Sequence, residues 1–238
     1  MAPTDNWGWV WFLLRWIHFL AGITWIGLLY YFNLVQTPFF AETEPGIRSG
    51  AQQKLLPRAL WWFRWGAMIT FLSGWLYLLG YWIQKVGFTV PGTWGILLGG
   101  LLGSIMWANV WFVIWPKNKI VIQNALDTAA GKPANPAAAP AGARGGLASR
   151  TNVVMSIPML FFMGTASHMP WLPLPRSGVV FWVVALAIML LVELNALVGT
   201  PGKGGTKPLA TIKGTLWFGF ILTAIYYLWF VFIGTKTS

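Results

Sequence analysis

The 238-residue chain is 57% hydrophobic and 17% aromatic, with 18 tryptophans, and only 9% of it is charged. That balance lies far from the composition of water-soluble domains and marks an integral membrane protein. The absence of cysteine excludes structural disulfides, thiolate metal sites and covalent C-x-x-C-H haem attachment within this chain, so any haem would have to be held noncovalently.

Six stretches reach the roughly 20 apolar residues needed to cross about 30 Å of hydrocarbon. The predicted fold is therefore an all-α polytopic bundle of six transmembrane helices, a single integral membrane domain over residues 1–238. The first helix, Trp9 to Phe32, is too long for a secretion signal. It also begins near acidic Asp5 rather than a basic segment and has no small-residue cleavage site, so it reads as a retained span. Within it lie Arg15, His18 and Gly22. The second runs from Leu60 to Ile83. The third, Trp94 to Trp115, contains Gly99, Gly100 and Gly103, which suit close helix contact in lipid.

After the third span, "KNKIVIQNALDTAAG" has enough amphipathic character for a short helix on the membrane surface. The following "AAGKPANPAAAPAGARGGLAS" is rich in Ala, Pro and Gly, and the whole stretch of about 117–150 is expected to be a flexible cytoplasmic loop. The fourth span, Val153 to Trp171, is the shortest, is interrupted by Pro158, and carries Gly164 and His168. The fifth, Gly178 to Val198, holds Glu193 and Asn195, and the sixth runs from Leu216 to Ile233.

The net charge of +11 follows the topology rather than a nucleic-acid surface. Twelve of the sixteen basic residues fall in the loops after spans one, three and five: Arg48, Lys54, Arg58, Arg64, Lys117, Lys119, Lys132, Arg144, Arg150, Lys203, Lys207 and Lys213. Lys85, Arg176 and Lys236 fall on the other side, and Arg15 lies within span one. The excess of positive charge places both termini outside, which in a bacterial inner membrane is the periplasm. Trp7, Trp9, Trp61, Trp94, Trp115 and Trp171 suit an interfacial belt. Trp25, Trp75, Trp107 and Trp182 lie deeper, and their indole N–H groups need acceptors.

Polar groups inside a span cost free energy, so Arg15, His18, Asn33, Asn109, His168, Glu193 and Asn195 are the candidate functional positions. His18 lies about nine residues, or roughly 14 Å, into span one from the outer surface. His168 lies near the outer end of span four, so the two histidines share the outer half of the membrane. Each has a glycine one turn away on its own face, Gly22 and Gly164, which leaves room for a flat macrocycle against the backbone. Arg15 shares the His18 face and lies closer to the outside, where a haem propionate requires a cation. Three readings stand: both histidines ligate one haem b, one histidine ligates and the other is structural, or both only hydrogen-bond across helices. Two histidines alone do not make a site for other transition metals, which usually take three or four ligands.

Glu193 is the only acid within a span and lies near the cytoplasmic end of span five. The expectation is a structural ion pair with Arg64 or Lys213, with a proton relay as the alternative and with Asn33 and Asn195 at similar depth. The sequence contains no phosphate-binding glycine loop, no Ser/His/Asp set with a base in reach of a nucleophile by sequence, and no paired carboxylates for acid/base hydrolysis. Hydrolysis is thereby disfavoured, and a total of five acids disfavours a proton pump as well.

"WIHFLAGITWIGLLYYFNLVQ" (Trp16 to Gln36), "TNVVMSIPMLFFMGTASHMPW" (Thr151 to Trp171) and "ELNALVG" (Glu193 to Gly199) resemble the membrane region of the bacterial membrane-bound urate oxidase (urate hydroxylase) family. The first is also similar, more loosely, to helix one of copper-resistance D-type proteins and of membrane protoporphyrinogen oxidase, which place a histidine before a Trp-x-Gly. In the urate oxidase family a membrane domain precedes an outward-facing cytochrome c domain, which implies electron transfer to a c-type haem. The resemblance marks His18 and His168 as the characteristic histidines and Glu193 and Asn195 as a motif without an assigned role. No C-x-x-C-H occurs before Ser238, so the expected electron partner is a separate c-type cytochrome or other redox subunit. Three functions follow as expectations. They are a haem b electron-transfer subunit of a larger redox complex, an oxidoreductase acting on urate or another small reductant beside the haem, and a cofactor-free assembly subunit.

Overall fold

The computed structural model describes residues 7–234; Asp5, Lys236 and both termini lie outside the described residues. Among the described residues there are six long helices and no β-strand, only an isolated bridge between Pro175 and Gly234. We label the helices α1 (Gly8–Glu42), α2 (Pro45–Lys85), α3 (Pro91–Ala129), α4 (Ala138–His168), α5 (Gly178–Leu197) and α6 (Ile212–Ile233). Five of them, all but α4, are long and apolar enough to cross a membrane. The first three run well past their predicted ends. Each also contains one π-helical segment, Tyr31–Gln36, Leu78–Trp82 and Asn109–Ile114, where the ladder widens without breaking.

The exception, α4, is the middle of the bundle. It packs against α3 along much of its length and also touches α1, α5 and α6, and its six residues Thr151, Asn152, Val153, Val154, Met155 and Ser156 are all buried. A helix enclosed by protein is released from the need for an uninterrupted apolar surface, provided that its polar groups find partners inside. They do. Thr151 Oγ1 donates to the Leu147 carbonyl at 3.0 Å, Ser156 Oγ donates to the Val153 carbonyl at 2.7 Å, and Asn152 reaches α3. The peripheral helices show the opposite pattern, with Ile23 of α1 72% exposed and Phe232 of α6 84% exposed, as helices facing lipid do.

The stretch expected to be a flexible loop over 117–150 is mostly helix. α3 continues without a break to Ala129, so the short amphipathic segment extends the third span instead of lying apart from it, and α4 begins at Ala138. Only residues 130–137 connect them, closed by Lys132 on Asp127 at 2.9 Å. Alanine has the highest helix propensity, and Pro140 falls in the first turn, where its missing N–H costs nothing. Small residues then let this end of α4 lie against α3, because a Cβ on Gly145 would meet Asn118 Nδ2 at 3.3 Å and Lys117 Cβ at 3.4 Å. Arg144 and Arg150 tie the same segment to the carbonyls of Ala196 and Leu209.

Close approach of α3 and α4 rests on three glycines. A Cβ on Gly92 would lie 2.8 Å from the Ala166 carbonyl oxygen, one on Gly99 would lie 3.1 Å from the Met159 carbonyl oxygen and the Met163 nitrogen, and one on Gly95 would strike the Thr165 hydroxyl. Of the predicted trio, Gly99 makes such a contact and Gly103 faces the Met159 sulfur at 3.3 Å, whereas a Cβ on Gly100 would meet nothing within 4 Å. Gly99→Leu is therefore expected to lower the thermal unfolding midpoint in detergent strongly and Gly100→Ala hardly at all. Equal midpoints for the two variants would contradict this packing.

Candidate functional site

A cavity of about 710 Å³ lies between α1, α2, α3 and α4, a size within the roughly 300–1,000 Å³ of small-molecule and cofactor sites. Arg15, His18, Gly22, Gly164 and His168 all line it. Helices one and four, far apart in sequence, thus bring the five predicted residues to one space. His18 is half-buried, while His168, the last residue of α4, is exposed at the cavity edge.

His18 is held by α2. Its Nδ1–H donates to the Thr70 carbonyl at 2.9 Å, and since a carbonyl only accepts, the neutral ring carries its lone pair on Nε2. Ligand histidines are commonly set in this way, with one nitrogen tied to a carbonyl and the other free for a metal. The ring lies against Gly74, where a Cβ would come within 2.7 Å of Cε1 and 2.9 Å of Nδ1. Gly74 and Thr70 are therefore part of the site although neither motif reading nor charge pointed to them. The available signal was a Ser-Gly pair, Ser73 and Gly74, in an otherwise apolar span.

The cavity walls are bare at four glycines. A Cβ on Gly27, Gly100 or Gly164 would meet nothing within 4 Å, and one on Gly22 would meet only the Thr70 methyl at 3.8 Å. These glycines face the cavity, not protein, so packing gives no reason for them. The indole Nε1 of Trp25, which also lines the cavity, is buried without an acceptor. A buried, unpaired donor is costly and calls for an acceptor supplied from elsewhere. Toward the N-terminal end of α1, the Arg15 guanidinium lies 5.4 Å from the centroid of the Tyr77 ring. No carboxylate among the described residues forms an ion pair with it.

The other deep tryptophans divide. Trp75 Nε1 donates to Ser104 Oγ at 2.9 Å, Trp182 stacks on Trp94 at 5.9 Å, and Trp107 Nε1 has no acceptor although its ring stacks on Phe71 at 4.2 Å.

The expected ion pair of Glu193 with Arg64 or Lys213 does not form. Glu193 Oε2 instead accepts from Asn109 Nδ2 at 2.9 Å, the same amide donates to Asn152 Oδ1 at 2.9 Å, and Asn152 Nδ2 donates to the Met106 carbonyl at 2.9 Å. Asn109 opens the π-helical segment of α3 and is 2% exposed, so this is a neutral-donor network at the α3–α4–α5 junction. Arg64 is directed instead to the rings of Trp65, Trp111 and Trp115. Asn33 belongs elsewhere, donating to the Leu29 carbonyl and Ser149 Oγ, each at 2.8 Å. Asn195 lies against the loop after α5, its Oδ1 2.9 Å from where a Gly205 Cβ would sit.

Among the described residues no group of three or more His, Cys, Asp or Glu side chains is placed to hold a metal ion. A family model described as urate oxidase N-terminal matches residues 81–199, half of the chain. The matched stretch contains His168, Asn109, Asn152 and Glu193, while His18 precedes it. No curated protein and no solved structure matches the chain.

Proposed function

Since the chain belongs to the urate oxidase N-terminal family, we propose that it is a membrane-embedded b-type haem protein that passes electrons near the outer face as a subunit of a larger redox complex. The observation that carries this reading is the convergence of His18 and His168 on one glycine-walled cavity of about 710 Å³. His18 offers Nε2, its tautomer fixed by the Thr70 carbonyl, and His168 offers the second imidazole. Arg15 supplies a cation for a propionate, and the Trp25 indole supplies a donor to any polar edge. When bound, the haem would supply one-electron chemistry, which two imidazoles in low-dielectric surroundings favour over oxygen binding.

The other residues act by exclusion and orientation. Gly22, Gly27, Gly100 and Gly164 keep the walls clear, and the remainder of the lining is mostly apolar. The test is a dithionite-reduced minus oxidised spectrum of the purified protein. A low-spin b-type alpha band with a Soret shift is expected, and a flat difference spectrum would overturn the reading in favour of a cofactor-free assembly subunit.

Family membership specifically favours a second reading, oxidation of urate or another small reductant beside the same cavity, with a separate cytochrome c as electron acceptor. Urate-dependent reduction of the haem distinguishes it: reduction by urate supports an enzyme, and a haem reducible by dithionite yet indifferent to urate supports electron transfer alone.

A further inference from the structure

Arg64 of α2 is a cation without a counter-charge. Its guanidinium carbon lies 4.2 Å from the centroid of Trp115, 5.0 Å from Trp111 and 5.4 Å from Trp65, and its Nε is buried with no hydrogen-bond partner. The indole Nε1 of Trp111, in the same cluster, is also buried without an acceptor. Lys119 reaches the same Trp115 ring, its Nζ 5.8 Å from the centroid. Two cations and an unpaired indole donor therefore converge between α2 and α3, and no acceptor accompanies them. The described acids are engaged elsewhere or remote from it: Asp127 pairs with Lys132 and Glu193 accepts from Asn109, while Glu42 and Glu44 stand at the α1–α2 turn.

We propose that this cluster binds the phosphate of an anionic phospholipid. Four observations favour that occupant. Phosphate oxygens are the acceptors that an unpaired guanidinium and ammonium require, and arginine in particular suits planar recognition of phosphate. By hydropathy the cluster stands where the second apolar stretch begins at Leu60 and the third ends at Trp115, the level expected for headgroups on the basic side, while α2 and α3 themselves run on past it to Pro45 and Ala129. Apolar surface adjoins it: Trp65 of the cluster is 38% exposed and Trp61, whose ring lies 6.5 Å from that of Trp65, is 48% exposed, a wall for acyl chains that a soluble anion does not use. Stacking on three indoles holds the Arg64 guanidinium in place, so little side-chain entropy is lost on binding.

The protein in neutral detergent, titrated with phosphatidylglycerol and separately with phosphatidylcholine and read by native mass spectrometry, tests this. Phosphatidylglycerol is expected to bind at least roughly tenfold more tightly, since each cation near the surface contributes several-fold, and the preference is expected to vanish in the Arg64→Gln/Lys119→Gln variant. Lys132→Gln, whose partner is Asp127, serves as a charge control and is expected to retain it. Equal binding of the two lipids by the wild-type protein, or a preference that persists in the double variant, would overturn the proposal. Should the double variant fail to fold, inorganic phosphate decides with the wild-type protein. Millimolar phosphate that displaces phosphatidylglycerol completely would show an anion site that does not use the acyl chains, and phosphatidylglycerol retained against phosphate supports the lipid.

Discussion

On the proposed haem reading, Gly74→Ala is expected to weaken haem retention by about one to two orders of magnitude without replacing either histidine. The added methyl would stand 2.7 Å from His18 Cε1 and 2.9 Å from Nδ1, closer than real contacts allow. The α2 backbone cannot yield readily, because it is pressed against α1 at Gly66, where a Cβ would lie 3.2 Å from the Trp25 nitrogen. The imidazole must therefore move, and in moving it gives up the 2.9 Å bond from Nδ1–H to the Thr70 carbonyl that sets its tautomer. Loss of such an outer partner typically costs 10–100-fold in metal affinity. His18→Ala is expected to abolish low-spin haem altogether, with partial recovery on adding free imidazole to the cavity that the side chain vacates. His168→Ala is expected to leave haem bound through one histidine and shifted to high spin. Haem titration followed by absorption and electron paramagnetic resonance measures all three. Unchanged affinity and spin state in Gly74→Ala would show that His18 is not a ligand.

What the sequence made legible, and what it hid, separates along a physical line. That the two histidines line one cavity was legible because each is a costly group in an apolar stretch and the two helices run in opposite directions. The helix count was legible for the same reason. Hidden from such reasoning was anything that depends on which helix faces which. Gly74 is one more small residue in a span until α2 is seen against His18, and Gly100 cannot be told from Gly99 until the one faces a cavity and the other a backbone. The expected loop over 117–150 misled because low hydropathy was read as solvation. Residues 128–137 are indeed exposed, but alanine's helix propensity and the burial of Gly145 and Leu147–Ser149 against the bundle carry α4 back to Ala138. Glu193 misled differently. Opposite charges at matching depth suggested an ion pair, yet a helix rotation alone decides whether they meet, and here Arg64 turns to tryptophans.

The amide network around Glu193 is where the largest loss of stability is expected. Asn109→Leu removes the one amide that donates to both Glu193 Oε2 and Asn152 Oδ1, leaving two buried acceptors unsatisfied at once. Each such group costs roughly 1–3 kcal/mol, and more where charge is involved, so about 3–5 kcal/mol in all is expected. In a chain of this size that corresponds to roughly 6–20 °C in the unfolding midpoint, at about 2–4 °C per kcal/mol. Glu193→Leu should cost far less, because Asn109 keeps its bond to Asn152 and no charge is left stranded. The double variant Asn109→Leu/Glu193→Leu is then expected to be more stable than Asn109→Leu alone, which is the reverse of additivity and a coupling of about 1–3 kcal/mol. Thermal unfolding in detergent, followed by size-exclusion retention, measures the cycle. Strict additivity would mean that the carboxyl does not depend on Asn109, and that the π-helical turn which presents Asn109 serves the packing of α3 rather than this bond.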